Sequence, residues 1–116
     1  MKEDVLSDKS FVFAKRIIKL YKYLTSQKNE YILSKQILRS GTSIGANIRE
    51  ARYAQSHKDF ISKLSISLKE ASETEYWIEL LQEEYISKKE TDSIHKDVIE
   101  LIKLLTKSIK TAKAKK

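Results

Sequence analysis

The chain contains no proline and only two glycines, Gly41 and Gly45, and both fall inside one apolar-periodic run. Strand-and-turn folds change direction at glycine and proline, so a chain this poor in both has little with which to build tight turns. Long helices joined by few connections are the architecture that remains. The run itself, Ser40-Gly41-Thr42-Ser43-Ile44-Gly45-Ala46-Asn47-Ile48-Arg49-Glu50-Ala51, interleaves small, polar and apolar residues more tightly than any other stretch.

Hydrophobic periodicity predicts an all-α chain of four helices, over about residues 8–26, 30–53, 57–86 and 92–113, in one domain spanning residues 1–116. In the first helix, which Ser7 or Asp8 would cap, two apolar rows stand side by side: Phe11, Ala14, Ile18 and Tyr21, then Phe13, Ile17, Leu20 and Leu24. Together they exceed the stripe of about 100° that one buried face requires. Thr25 to Asn29 has no periodicity and reads as a connection. In the second helix Leu33 or Ser34, then Ile37, Gly41, Ile44, Ile48 and Ala51 follow steps of four and three. The apolar phase is the same on both sides of Gly41, which predicts one continuous helix through it.

Ser56 reads as the cap of the third helix, with Asp59 near its positive end. Its main face is Phe60, Leu64, Leu68, Ala71, Ile78 and Tyr85, while Ile66, Trp77 and Leu80 lie on nearly the opposite face. A monomeric bundle has no use for that second face, so it predicts self-association. Thr91 is expected to cap the fourth helix, with Ile94, Val98, Leu101, Leu105 and Ile109 inward and Lys96, Lys103, Lys107 and Lys110 outward. The lysine-rich tail 111–116 is expected to fray. Short connections between long helices predict an antiparallel up-down-up-down bundle.

Several chemistries are excluded by residue type. No cysteine is present, which removes disulfides and thiolate ligands. No stretch is apolar enough to span a bilayer and none reads as a signal peptide, so a cytoplasmic location with no membrane partner is the expectation. Gly41-Thr42-Ser43-Ile44-Gly45 fits G-x-S-x-G, but a nucleophile elbow needs a strand leading into it, and here both flanks are helical in period. No Gly-Lys-Ser/Thr follows to cradle a phosphate. Two glycines four apart instead mark a helix side that another backbone can approach, by analogy with membrane helices. Di-metal bundles need Glu-x-x-His pairs; the nearest feature is Asp92-x-x-His95, and both histidines read as solvent-facing. The chain is therefore expected to be no enzyme and to hold neither metal nor cofactor.

Two features remain. Ser40, Ser43, Asn47 and Glu50 form a polar row beside Ile44 and Ile48, and Lys63, Ser67, Glu70, Thr74 and Trp77 form another on the third helix, with Glu73 beside it. They are expected to hydrogen-bond across a helix seam, within one chain or between chains, because buried polar groups must find partners. Charge is the second feature: residues 1–63 carry a net +7, residues 64–102 a net −6 and residues 103–116 a net +6. Lys15, Lys19 and Lys22, with Arg49, Arg52, Lys103, Lys107 and Lys110, are candidates for backbone-directed, salt-sensitive binding of structured RNA or DNA. A scaffold or adaptor that touches no nucleic acid is the alternative.

Arg39-Ser40-Gly41-Thr42-Ser43-Ile44-Gly45-Ala46-Asn47-Ile48-Arg49-Glu50-Ala51 resembles the signature of the 23S rRNA intervening-sequence proteins, the S23 family. A second block agrees: Phe60-Ile61-x-Lys63-Leu64-x-x-x-Leu68-Lys69-Glu70-Ala71-x-Glu73-Thr74-x-Tyr76-Trp77-Ile78-x-Leu80-Leu81. The resemblance covers roughly Phe11 to Leu105. It implies a bacterial, left-handed up-down four-helix bundle assembled as a ring-like homopentamer around a channel. Members are encoded in intervening sequences of large-subunit ribosomal RNA genes or as free-standing genes. A related branch is the accessory protein that partners reverse transcriptase in diversity-generating retroelements, with nucleic-acid binding as its inferred role. The family brings no catalytic residues to carry over. Arg49 and Ala51 depart from its usual small residue and glycine, and Arg49 would add charge to a seam or channel wall.

Overall fold

The structure is a computed structural model that describes residues 2–115, with side chains from Val5 onward. Four helices account for nearly all of it: α1 (Lys2–Gln27), α2 (Leu33–Arg52), α3 (His57–Glu84) and α4 (Lys88–Ala114). Each packs on two neighbours, in the order α1, α2, α3, α4 and back to α1, and the diagonal pairs do not approach among the described residues. The long axis measures 48 Å against 21 and 19 Å across.

Cross-contacts between neighbouring helices run in opposite chain sense. Along α1 and α4, Lys9 meets Glu100, Arg16 meets Asp97 and Tyr23 meets Glu90. Along α2 and α3, Glu50 meets Lys63, the Ile44 carbonyl meets Ser67 and Ser40 meets Thr74. The core is a continuous row from each helix, led by Phe13, Ile17 and Leu24, Ile37, Ile44 and Ile48, Leu64, Ile78 and Leu81, and Val98, Leu101 and Leu105. On α3 the buried positions are Leu64, Ser67, Ala71, Thr74, Ile78 and Leu81, a strict alternation of three and four that places two hydroxyls in the core.

Several boundaries differ from the expectations. α1 begins at Lys2 rather than at Ser7 or Asp8, and Leu6 is seated in the core and holds that extra turn to the rest. Only one of the two apolar rows of α1 goes inward: Phe13, Ile17 and Leu24 are buried, whereas Phe11 is 56% and Ile18 40% exposed. α2 begins at Leu33 rather than Glu30, because Glu30 serves as its cap instead. The Glu30 carboxylate accepts from the amides of Ile32, Leu33 and Ser34 at 2.7–3.1 Å, where the helix end leaves them without partners. The chain enters this cap through Asn29, whose φ of 52° is left-handed, a conformation asparagine tolerates better than most residues.

Ser56 caps α3 as expected, its hydroxyl accepting from the Asp59 amide at 3.0 Å. The cap of α4 is Ser87, not Thr91. Ser87 and Glu90 exchange side-chain and backbone hydrogen bonds in a capping box, and these bonds hold the Glu90 carboxyl below its ordinary pKa. Thr91 is buried one turn further in, where its hydroxyl accepts from Gln82 at 2.8 Å. Tyr85, expected on the core face of α3, lies at its end and is 46% exposed. The tail does not fray at residue 111: α4 continues to Ala114, since Ala112 is buried and its carbonyl meets His57 Nε2 at 2.7 Å. Lys116 lies outside the described residues.

Candidate functional site

α2 runs unbroken through both glycines, and both face α1. A Cβ built on Gly41 would stand 2.8 and 2.9 Å from Cγ1 and Cγ2 of Ile17, and one on Gly45 would stand 3.2 Å from the Ser10 hydroxyl. The glycines thus thin one side of α2 where Ile17 and Ser10 press in. Ser43, the residue that would be a nucleophile in an elbow, donates instead to the Arg39 carbonyl of its own helix at 2.7 Å.

The opposite side of α2 forms a polar seam with α3. The hydroxyls of Ser40 and Thr74 lie 2.8 Å apart, and Thr74 Oγ1 is also 2.8 Å from the Glu70 carbonyl. Each hydroxyl has one proton, so Ser40 donates to Thr74 and Thr74 donates to Glu70. Ser67 donates to the Ile44 carbonyl at 2.8 Å, and Glu50 pairs with Lys63 at 3.0 Å, which raises the Lys63 pKa above its ordinary value through hydrogen bonding and charge. Arg39 bridges Glu70 and Glu73, and Glu73 also accepts from the Trp77 indole at 3.0 Å. Among the described residues no buried side-chain nitrogen or oxygen is left without a partner.

Two expected members of the seam stay out of it. Ser43 bonds back to Arg39, and Asn47 donates to the Ser43 carbonyl at 2.8 Å, so neither crosses to α3. The contrast gives a measurable split. Thr74→Val should lower stability by about 1–2 kcal/mol, because it orphans the buried Ser40 hydroxyl. Asn47→Ala should change it by less than about 0.5 kcal/mol, as a half-exposed side chain returning to its own helix does. Equal losses in urea denaturation would refute this division.

The basic candidates separate into two groups. Arg52 reaches the Ser7 hydroxyl at 3.4 Å and His57 meets Ala112, so the C-terminal turns of α2 and α4 share one end of the molecule with the start of α1 and α3. Arg49, Arg52, Lys103, Lys107 and Lys110 all belong to that end and are exposed. Residues 5–12, 45–64 and 101–115, which build it, carry ten basic side chains against three acidic ones. Lys15, Lys19 and Lys22 do not join them. They lie along the middle and far half of α1, and Lys15 sits 5.3 Å over the Phe11 ring. The far end, residues 20–36 and 72–95, carries eight acidic groups against five basic.

Residues 2–107 match the family described as 23S rRNA-intervening sequence protein. The chain belongs to that family. A crystal structure of a protein of unknown function from the S23 ribosomal protein family of Bacteroides thetaiotaomicron VPI-5482 is 59% identical, with a TM-score of 0.92 over 95% of this chain and 99% of that one. No curated protein matches the chain. In this family member the two signature blocks are the two sides of the α2–α3 seam. The first adds the glycines that admit α1; the second supplies Lys63, Glu70, Glu73, Thr74 and Trp77. The residues that resemble a motif therefore specify helix packing.

Of the expected self-association residues, Ile66 is 37% exposed, but Trp77 and Leu80 are half-buried, and Trp77 packs on the core. More of the exposed large apolar side chains lie on α1, where Phe11, Val12 and Ile18 are exposed. Phe11 and Ala14 border a groove of about 430 Å³ that runs past Gly45 to Arg49. Neither histidine is merely solvent-facing: His57 bonds α4, and half-buried His95 lies 3.3 Å from a Glu79 carboxylate oxygen and 3.7 Å from one of Glu75. The grouping of Glu75, Glu79 and His95 was missed in the sequence. Its only trace there is the four-residue spacing of the two glutamates, and the register of α4 against α3 is needed to bring His95 to them. No described helix is long and apolar enough to cross a membrane.

Proposed function

We propose that the chain is a non-enzymatic, self-associating, left-handed up-down-up-down bundle that binds structured RNA or DNA through the phosphate backbone. The observation that carries this reading is the gathering of Arg49, Arg52, Lys103, Lys107 and Lys110 at one end of an elongated molecule whose other end is acidic. A polyanion is attracted to such an end from several ångströms away and is repelled by the other. The exposed basic groups meet phosphates, which carry no sequence information of their own, so sequence selectivity is low. The same reading places the protein in the cytoplasm.

The test is fluorescence anisotropy with a structured RNA and a duplex DNA over 50–200 mM KCl. The affinity should fall steeply, by tenfold or more, as counterion release requires for several phosphate contacts. Absence of binding at low salt, or affinity indifferent to salt, overturns the reading.

Opposite-sense contacts at each helix seam support the antiparallel topology. Exposed Phe11, Val12 and Ile18, with Ile66, support self-association into a ring, for which the homopentamer implied by the resemblance is the expected form. Sedimentation equilibrium at micromolar concentration should give a mass several times 13.5 kDa. A mass near that of one chain refutes self-association. A second reading, favoured by the same apolar surface, is a scaffold for a protein partner such as a reverse transcriptase or another RNA-associated enzyme. It is the reading left standing if the chain assembles yet binds no nucleic acid.

A further inference from the structure

We propose that Glu75, Glu79 and His95 form a site for one divalent transition-metal ion, with zinc the best match, clamping α3 to α4. Glu75 and Glu79 stand one turn apart on α3, so their carboxylates project from one face. Opposite-sense packing brings His95, in the first turns of α4, up to both. One donor atom from each of the three lies within 4.8 Å of the others. His95 Nε2 is 3.3 Å from the Glu79 oxygen and 3.7 Å from the Glu75 oxygen.

The two histidine-to-carboxylate separations are close to those of ligands on one zinc ion. Bonds of about 2.0–2.2 Å to nitrogen and oxygen in a tetrahedron set ligands roughly 3.4 Å apart. The donor set also selects the metal. An imidazole beside two carboxylates suits zinc and its first-row neighbours, whereas calcium and magnesium require shells made of oxygen. Two carboxylates and a neutral imidazole balance a divalent charge. The surroundings add to this, because residues 72–95 carry seven acidic side chains against two basic. Partial exposure of Glu79 leaves room for water as the fourth ligand. The site is remote from the basic end and independent of any nucleic acid there.

The test uses the full chain, stripped with EDTA and dialysed, and titrated calorimetrically with zinc chloride. One ion per chain should bind, with a rise in melting temperature, and magnesium or calcium chloride should not reproduce it. His95→Gln and Glu79→Gln should each weaken zinc binding at least tenfold. The chain has two histidines, so the unaltered protein gives a second readout by NMR: zinc should shift the His95 ring signals and leave those of His57 in place. Absence of saturable binding, undiminished binding by His95→Gln, or equal shifts at both histidines overturns the proposal. The NMR readout decides even if the variants fail to fold.

Discussion

Gly41→Ala should destabilise the protein by about 2 kcal/mol, although alanine is the better helix former. The propensity gain is about 1 kcal/mol in a helix interior. Against it stands overpacking, which costs about 1–3 kcal/mol in a filled core. The cost falls at the upper end here because both atoms under 3.0 Å, Cγ1 and Cγ2 of Ile17, are attached directly to its Cβ. A β-branched side chain in a helix has essentially one χ1 rotamer, and Ile17 is fully buried, so relief requires the α1 backbone to move away. Gly45→Ala is the internal control. Its nearest neighbour is the Ser10 hydroxyl at 3.2 Å, a mild crowding that offsets most of the same propensity gain of about 1 kcal/mol, so its stability should stay within about 0.5 kcal/mol of the parent. Combining Gly41→Ala with Ile17→Ala should cost less than the sum of the two, since Ile17→Ala opens the space that the added Cβ fills. Denaturant titration of the four proteins checks this, and a Gly41→Ala protein as stable as the parent would refute the close-approach role.

Replacing Lys103, Lys107 and Lys110 together by glutamine should weaken RNA or DNA binding about tenfold or more near 100 mM salt. It should also reduce the slope of log affinity against log salt by up to roughly 3 units, about one per lost phosphate contact. All three are exposed, make no ion pair among the described residues and lie outside the core row of Leu101, Leu105 and Ile109, so folding should be untouched. The matched control removes Lys15, Lys19 and Lys22, which carry the same charge but lie away from the basic end. If both triple variants lose affinity equally, net charge and not its placement drives binding, and the end-specific interface is wrong. If neither does, the adaptor reading gains.

The helices that could be read from the sequence are those whose apolar residues fill a single row. Ile37, Gly41, Ile44, Ile48 and Ala51 on α2, and Ile94 through Ile109 on α4, are all buried where periodicity places them. α1 offered two rows, and no periodicity rule says which of two adjacent rows faces the core. That choice was made by α2, whose glycines admit Ile17 and Ser10 and leave Phe11 outside. The cap of α4 is legible in the sequence as it stands, where Ser87-Lys88-Lys89-Glu90 is a capping box one turn ahead of Thr91. Glu30 was harder to see, since it looks like a good first-turn residue and differs only in lying three residues before the helix it caps. Within the candidate site, Ser40, Thr74, Glu50 and Lys63 could be matched as rows. The return of Ser43 and Asn47 to carbonyls of their own helix is a choice of side-chain rotamer that the row pattern does not carry, and the approach of His95 to Glu75 and Glu79 required the register between two helices.

The uneven ends of the molecule have a geometric consequence for any complex with a duplex. A body 48 Å long that bound a duplex by its basic end would meet it tip-first, presenting a face of about 20 Å. At 3.4 Å per base step that face shields roughly 6 base pairs, whereas a body lying lengthwise would shield about 14. Nuclease footprinting on a single bound chain therefore distinguishes a protein that stands upright on its template from one that lies along it. An upright posture holds the carboxylate-rich tip clear of the template, where a second macromolecule could dock without displacing the first.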